Sequence, residues 1–218
     1  MERKRLLITG CGRSGTFYAA EVWRSLGLDI RHERPVPPHG TMGRDGVASW
    51  FMTVDDPNPP FGPSTAGYRF DFVLHLVRHP LKVIASVAQF ILQWGNASPR
   101  YMQHHAPETQ LTPEEYALEP KQQLILRAAR YWYHWNLLAQ AKADETVQVE
   151  KLILKLPWLC ESLGVECELS IADSVSKSTN ARWQYVREDP WLVEWTDIET
   201  LDPALCKKIR DLADSYGY

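Results

Sequence analysis

The chain lacks three things that would have made its role easier to name. No apolar run approaches the roughly 20 residues that a membrane span needs. No two of its four cysteines (Cys11, Cys160, Cys167, Cys206) are spaced as CxxC or grouped with histidine in a zinc pattern. Its first residues, MERKRLLITG, are charged and then only briefly apolar, without the longer hydrophobic stretch and small-residue cleavage site of a signal peptide. Four reduced thiols in a cytoplasmic setting are the expectation. An excess of either charge is also missing. The formal net charge is -3 and the pI about 6.2, so bulk electrostatics give no reason to expect nucleic acid or an anionic membrane as partner. Any anion site has to be local.

What is present is an ordinary globular composition, 44% hydrophobic and 23% charged over 218 residues, enough for one domain with a substantial core. Residues 4–9 read as a buried strand, 16–27 as a helix and 28–33 as a second strand. Residues 34–67 are rich in Pro and Gly and read as a long loop. FDFVLHLV (70–77) is continuously apolar, as a strand covered on both faces would be. His79-Pro80 opens a helix to about Trp94, with Pro near its first position. Residues 95–111 read as polar and irregular, and Thr112 to Glu115 as a capping-box pattern. A long helix follows Pro120, a strand covers 147–153, a short helix ends at Gly164, and Asp202-Pro203 caps a last helix. The alternation predicts a three-layer α/β fold, a parallel sheet between helices, in a single domain over 1–218. Segments 34–67 and 95–119 then stand as insertions on the acceptor side.

ITGCGRSGT (8–16) has a strand, a glycine-rich turn and a helix start. Gly10, Gly12 and Gly15 let the backbone turn and bring N–H groups close to an anion. The helix adds the positive end of its dipole, Arg13 a permanent charge, and Ser14 and Thr16 hydroxyls. GCGRSG fits GxxxxG, but Thr16 stands where a triphosphatase loop has lysine. Glu33 falls near the distance at which a dinucleotide site places its acid, so spacing leaves that ligand open. A second stretch, HLVRHPLKVIASV (75–87), puts Arg78 at a strand's end and Ser86 two turns into a helix, where they could grip a second anion.

Together the two stretches resemble the sulfotransferase family that uses 3′-phosphoadenosine-5′-phosphosulfate. GCGRSGT (10–16) and RHPLKVIAS (78–86) carry the resemblance. YWYHWN (131–136), VEKL (149–152), GRDGVASW (43–50), STNARW (178–183) and the ending LADSYGY add weaker matches, some of them to bacterial and phage-type members. The resemblance implies a P-loop-like sulfotransferase fold without a catalytic metal, and adenosine 3′,5′-bisphosphate as product. It implies that Gly12, Arg13, Ser14, Gly15 and Thr16 hold the 5′-phosphosulfate, with Arg13 at the bridging oxygen, while Arg78 and Ser86 hold the 3′-phosphate. Arg182, with Lys177, would close over the donor late in the chain. Glu33 is the implied base and His32 its alternative. On a strand these two neighbours face opposite ways, so only one of them is expected in the pocket.

The acceptor, a small molecule or glycan with a hydroxyl or amine, is not named by any residue, and the oligomeric state stays open. His104-His105 reads as a surface pair rather than a metal site, and the stripe Tyr131, Trp132, Trp135 as core. Two other readings remain: a P-loop nucleotide kinase or hydrolase, against which the strand end Val77-Arg78 offers no Asp for magnesium, and a nucleotide-binding protein of this fold without catalysis.

Overall fold

The computed structural model describes residues 1–33, 42–56, 67–92, 98–175 and 191–218. Its centre is a five-stranded, all-parallel sheet in the order β2-β3-β1-β4-β5. The strands are β1 (Glu2–Thr9), β2 (Ile30–His32), β3 (Gly46–Ala48), β4 (Tyr68–Val77) and β5 (Glu145–Gln148). The helices are α1 (Thr16–Ser25), α2 (Pro80–Val87), α3 (Ser98–His105), α4 (Pro120–Lys142), α5 (Leu152–Leu163), α6 (Leu169–Asp173), α7 (Trp195–Leu201) and α8 (Pro203–Ser215).

Why β1 reads LLI without a polar break follows from its place. It is the middle strand, and Leu6, Leu7 and Ile8 are all fully buried. Strand period two sends Leu6, Ile8, Leu74 and Leu76 to one face, where α1, α5 and α6 supply Val22, Trp23, Leu156, Leu159 and Ala172. On the other face α2, α4, α7 and α8 build a second core from Val83, Ile84, Trp132, Trp135, Ile198 and Ile209. Helices therefore cover both faces of a parallel sheet, the three-layer arrangement expected from the alternation of elements. No described helix is long and apolar enough to cross a membrane.

Four features differ from the sequence-based reading, and the first three have clear physical causes. β3 lies inside the segment read as loop: three residues are too few for alternation to register. Its Gly46 has φ 154, and a Cβ there would fall 1.8 Å from the Leu6 carbonyl oxygen, so the close seam with β1 requires glycine. α3 lies in the stretch read as irregular, because its buried side is narrow, formed by Tyr101 and Met102. The strand expected over 147–153 stops at Gln148. β4 ends at Val77, its register partner, and leaves nothing further to pair with. The chain turns there through a 3-10 turn (Val149–Lys151) into α5. Finally, the helix after Pro80 passes into a π-helical turn, Ala88–Leu92. Of the two proposed insertions, 34–41, 57–66 and 95–97 lie outside the described residues.

Candidate functional site

β1 and β4 are hydrogen-bonded neighbours, with Thr9 opposite His75, so the segments that follow them leave the sheet side by side. From β1 the chain goes out to β2 and β3; from β4 it goes the opposite way, to β5. This is a topological switch point at the C-terminal edge of a parallel sheet, where open α/β folds leave a crevice.

The turn after β1 is held tightly. A Cβ on Gly10 would sit 2.3 Å from the Leu76 carbonyl oxygen, so the loop lies directly against β4. Ser14 N–H closes the turn onto the Cys11 carbonyl at 3.1 Å. Gly12 N–H donates to the Tyr131 hydroxyl at 2.9 Å, so that amide is taken up by α4 rather than presented to a ligand. Burial raises the Tyr131 phenol well above its ordinary value, with the nearby Cys11 thiol adding to it. The phenol stays neutral. Arg13 is the one non-glycine among the described residues with positive φ, 75°. A left-handed residue with a Cβ costs on the order of 1–2 kcal/mol. Ser14 Oγ is buried with no hydrogen-bond partner among the described residues. No side chain caps the N-terminus of α1, which begins at Thr16. An orphaned hydroxyl beside an uncapped helix start, with a guanidinium next to it, has the chemistry of an anion cradle.

Arg13 Nε donates to Ser86 Oγ at 2.9 Å, and its guanidinium lies 5.7 Å from the Phe90 ring centre. Arg78 Nη1 donates to the Arg13 carbonyl at 3.4 Å. The two stretches therefore meet in one cluster. Ser86, having accepted from Arg13, still has its own proton to donate. Arg78 and Ser86, the pair expected to hold a second anion, thus both touch Arg13 directly. The residues on either side of Arg78 in the chain are held by Tyr218. That hydroxyl reaches the Val77 carbonyl (3.1 Å) and the Glu150 carboxylate (2.7 Å), and its ring meets His79 at 5.6 Å between centres.

His32 and Glu33 sit at the end of β2. His32 Nε2 lies 3.1 Å from Thr16 Oγ1 and 3.3 Å from Glu33 Oε1. The opposite-face argument does not hold here, because β2 ends at His32 and Glu33 is already beyond the pleat. His32 reaches the start of α1 at Thr16, and Glu33 meets His32. The Glu33 side chain is only 11% exposed. Burial pushes its carboxyl up to about 8, against a downward pull from hydrogen bonding to its own backbone and to Ser49. Within strict hydrogen-bond geometry, however, Glu33 Oε2 and the fully buried Ser49 Oγ are both without a partner among the described residues. The carboxyl is thus mostly protonated at neutral pH, with one oxygen uncommitted.

Arg182, together with Lys177 and Asn180, lies outside the described residues. Of the residues that sequence reasoning passed over, Tyr131 was visible as part of an aromatic stripe but gave no sign of its bond to Gly12. Ser49 and Tyr218 carried no signal beyond the weak matches around them. No protein-family model and no curated protein matches this chain.

Proposed function

We propose that the chain is a sulfotransferase that moves a sulfuryl group from 3′-phosphoadenosine-5′-phosphosulfate to a hydroxyl or amine acceptor, without a catalytic metal. The observation that carries this reading is the meeting of the loop with the Arg78 stretch. Arg13 bonds Ser86 across 73 residues of sequence, and Arg78 bonds the Arg13 carbonyl across 65. Two guanidiniums, a hydroxyl with a proton to give and the orphaned Ser14 hydroxyl suit a ligand with two small anionic groups. They suit a triphosphate with magnesium less well, since no lysine follows Gly15 and the β4 end has no Asp.

In this reading Ser14, Gly15 and Thr16 bind the 5′-phosphosulfate, and Arg13 meets the negative charge that grows on the bridging oxygen as the S–O bond breaks. Arg78 and Ser86 bind the 3′-phosphate. Glu33, once ionised, takes the acceptor's proton as the acceptor oxygen or nitrogen bonds to sulfur. The electron pair of the broken bond leaves on the phosphate. Glu33 is favoured over His32 because its Oε2 is uncommitted, whereas His32 Nε2 already meets Thr16 and Glu33. A positioned base contributes about 10²- to 10⁴-fold.

Adenosine 3′,5′-bisphosphate is expected to raise the melting temperature with no magnesium added. Arg13→Ala and Arg78→Ala should each weaken its binding about tenfold or more, the loss of one charge-assisted contact. Stabilisation by Mg-ATP alone would point to a kinase or hydrolase. Tight bisphosphate binding with no transfer of labelled sulfate to a broad panel of hydroxyl and amine compounds would leave a non-catalytic nucleotide binder.

A further inference from the structure

The last two residues of α3, His104 and His105, lie against Asp56, which follows the 3-10 turn Phe51–Thr53. Asp56 Oδ2 is 3.3 Å from His105 Nε2 and 3.8 Å from His104 Nε2. One donor atom from each of the three residues falls within 4.8 Å of the others. Zinc bonds to imidazole and carboxylate are about 2.0–2.1 Å long, which in a tetrahedron spaces the donor atoms about 3.3 Å apart. One edge already has that length and the second is close to it.

A hydrogen-bonded His–Asp pair would account for the contact more simply, but it does not account for His105. That side chain is 9% exposed, and its Nε2 is buried with no hydrogen-bond partner among the described residues although the carboxylate oxygen is near. A buried ring nitrogen aimed at a carboxylate outside hydrogen-bond geometry is costly unless its lone pair has another use. The His104 ring stands 4.6 Å from that of His105, centre to centre, so the two imidazoles share the space. Behind them Tyr101 packs on His105 at 4.5 Å and Trp135 at 6.4 Å, which fixes the ring. Next to Asp56, Lys142 pins the segment through Asp55 Oδ1 at 2.7 Å and the Met52 carbonyl at 3.1 Å.

We propose that Asp56, His104 and His105 form a three-ligand site for zinc(II), or a divalent ion of similar chemistry, with a fourth position left for an exchangeable oxygen ligand. Two imidazoles and a carboxylate suit zinc, cobalt or nickel better than the oxygen-only preference of magnesium and calcium. The ion would tie the end of α3 to the segment after β3. It adds no step to sulfuryl transfer and does not rest on that reading.

The test uses tag-free protein, stripped with chelator and dialysed. Zinc is titrated against a chromophoric chelator, and cobalt(II) is followed by its visible absorption. One equivalent per chain and an intense tetrahedral cobalt spectrum are expected, with His104→Ala and Asp56→Asn each weakening binding at least about tenfold. His104 is exposed, so that variant should keep the melting temperature of the stripped protein even if a His105 variant folds poorly. Absence of stoichiometric binding, or binding unchanged in both variants, which would assign the ion to the cysteines or the surface, overturns the proposal.

Discussion

Among single residues, Glu33 has the most leverage. A carboxyl held at about 8 by burial is protonated at neutral pH and ionises only as the pH approaches that value. If it is the base, turnover with saturating donor and acceptor should rise about tenfold per pH unit from 6 towards 8 and then level off. Glu33→Gln should lower the rate by at least about a hundredfold and flatten the profile, while bisphosphate binding stays intact. A profile unchanged in the Gln variant would move the role to His32. That the two adjacent side chains His32 and Glu33 meet was not legible from alternation, because alternation ends where the strand does. The glycines, Arg13 and Arg78 were legible, since turn chemistry and a strand-end arginine leave marks in sequence. The Arg13–Ser86 bond was not, because it depends on how α2 is rotated against the loop.

At the scale of elements, the loop after β1 is braced by a helix more than a hundred residues away. Tyr131→Phe removes the acceptor of the Gly12 N–H and leaves that buried amide unpaired, at a cost of about 1–3 kcal/mol. Urea unfolding should show that loss. Bisphosphate affinity should fall several-fold as well, because the loop loses its hold on α4. A stability loss with unchanged affinity would mean that Gly10 and the Cys11–Ser14 turn suffice to shape the loop. The long elements α1, α4, β4 and α8 could be read in advance, the helices from turn-long patterns and caps and β4 from its continuous apolar run. β3, α3 and the end of β5 could not. Their limits are set by partners elsewhere in the chain: the seam with β1, the narrow contact at Tyr101, the end of β4.

Across the whole molecule, two buried groups pull stability in opposite directions with pH. His75 lies fully buried between β4, β5 and α4. Asn136 gives its amide to the Trp132 carbonyl at 2.7 Å, so its oxygen faces His75 Nε2 at 3.0 Å as an acceptor. The Nε2 therefore bears the proton, and Nδ1 accepts from Thr146 Oγ1 at 3.2 Å. This neutral imidazole titrates at about 4, lowered from 6.5 by burial. Because the folded state resists protonation, its contribution is complete above 6.5 and is lost as the pH falls towards 4. Glu33 is the reverse: its pKa is raised from 4.5 to about 8, so its contribution is complete below 4.5 and is lost as the pH rises to 8. The melting temperature of wild type relative to Glu33→Gln should therefore fall steadily from pH 5 to pH 8, by the equivalent of a few kcal/mol. A constant difference would mean that Glu33 is already ionised in the folded protein.

The strand order also sets a timetable for synthesis. β1 is made first, yet it is the middle of the sheet, and its neighbours are the three-residue β3 and the much later β4. At about 5–20 residues per second, the apolar Leu6–Ile8 stretch waits several seconds for β4 to leave the ribosome. Throughout that wait the edge that β4 will cover stays open, and only the three-residue β3 can pair with the other. The Pro- and Gly-rich segment that separates β1 from β4 is thus also the interval over which a chaperone would have most to do.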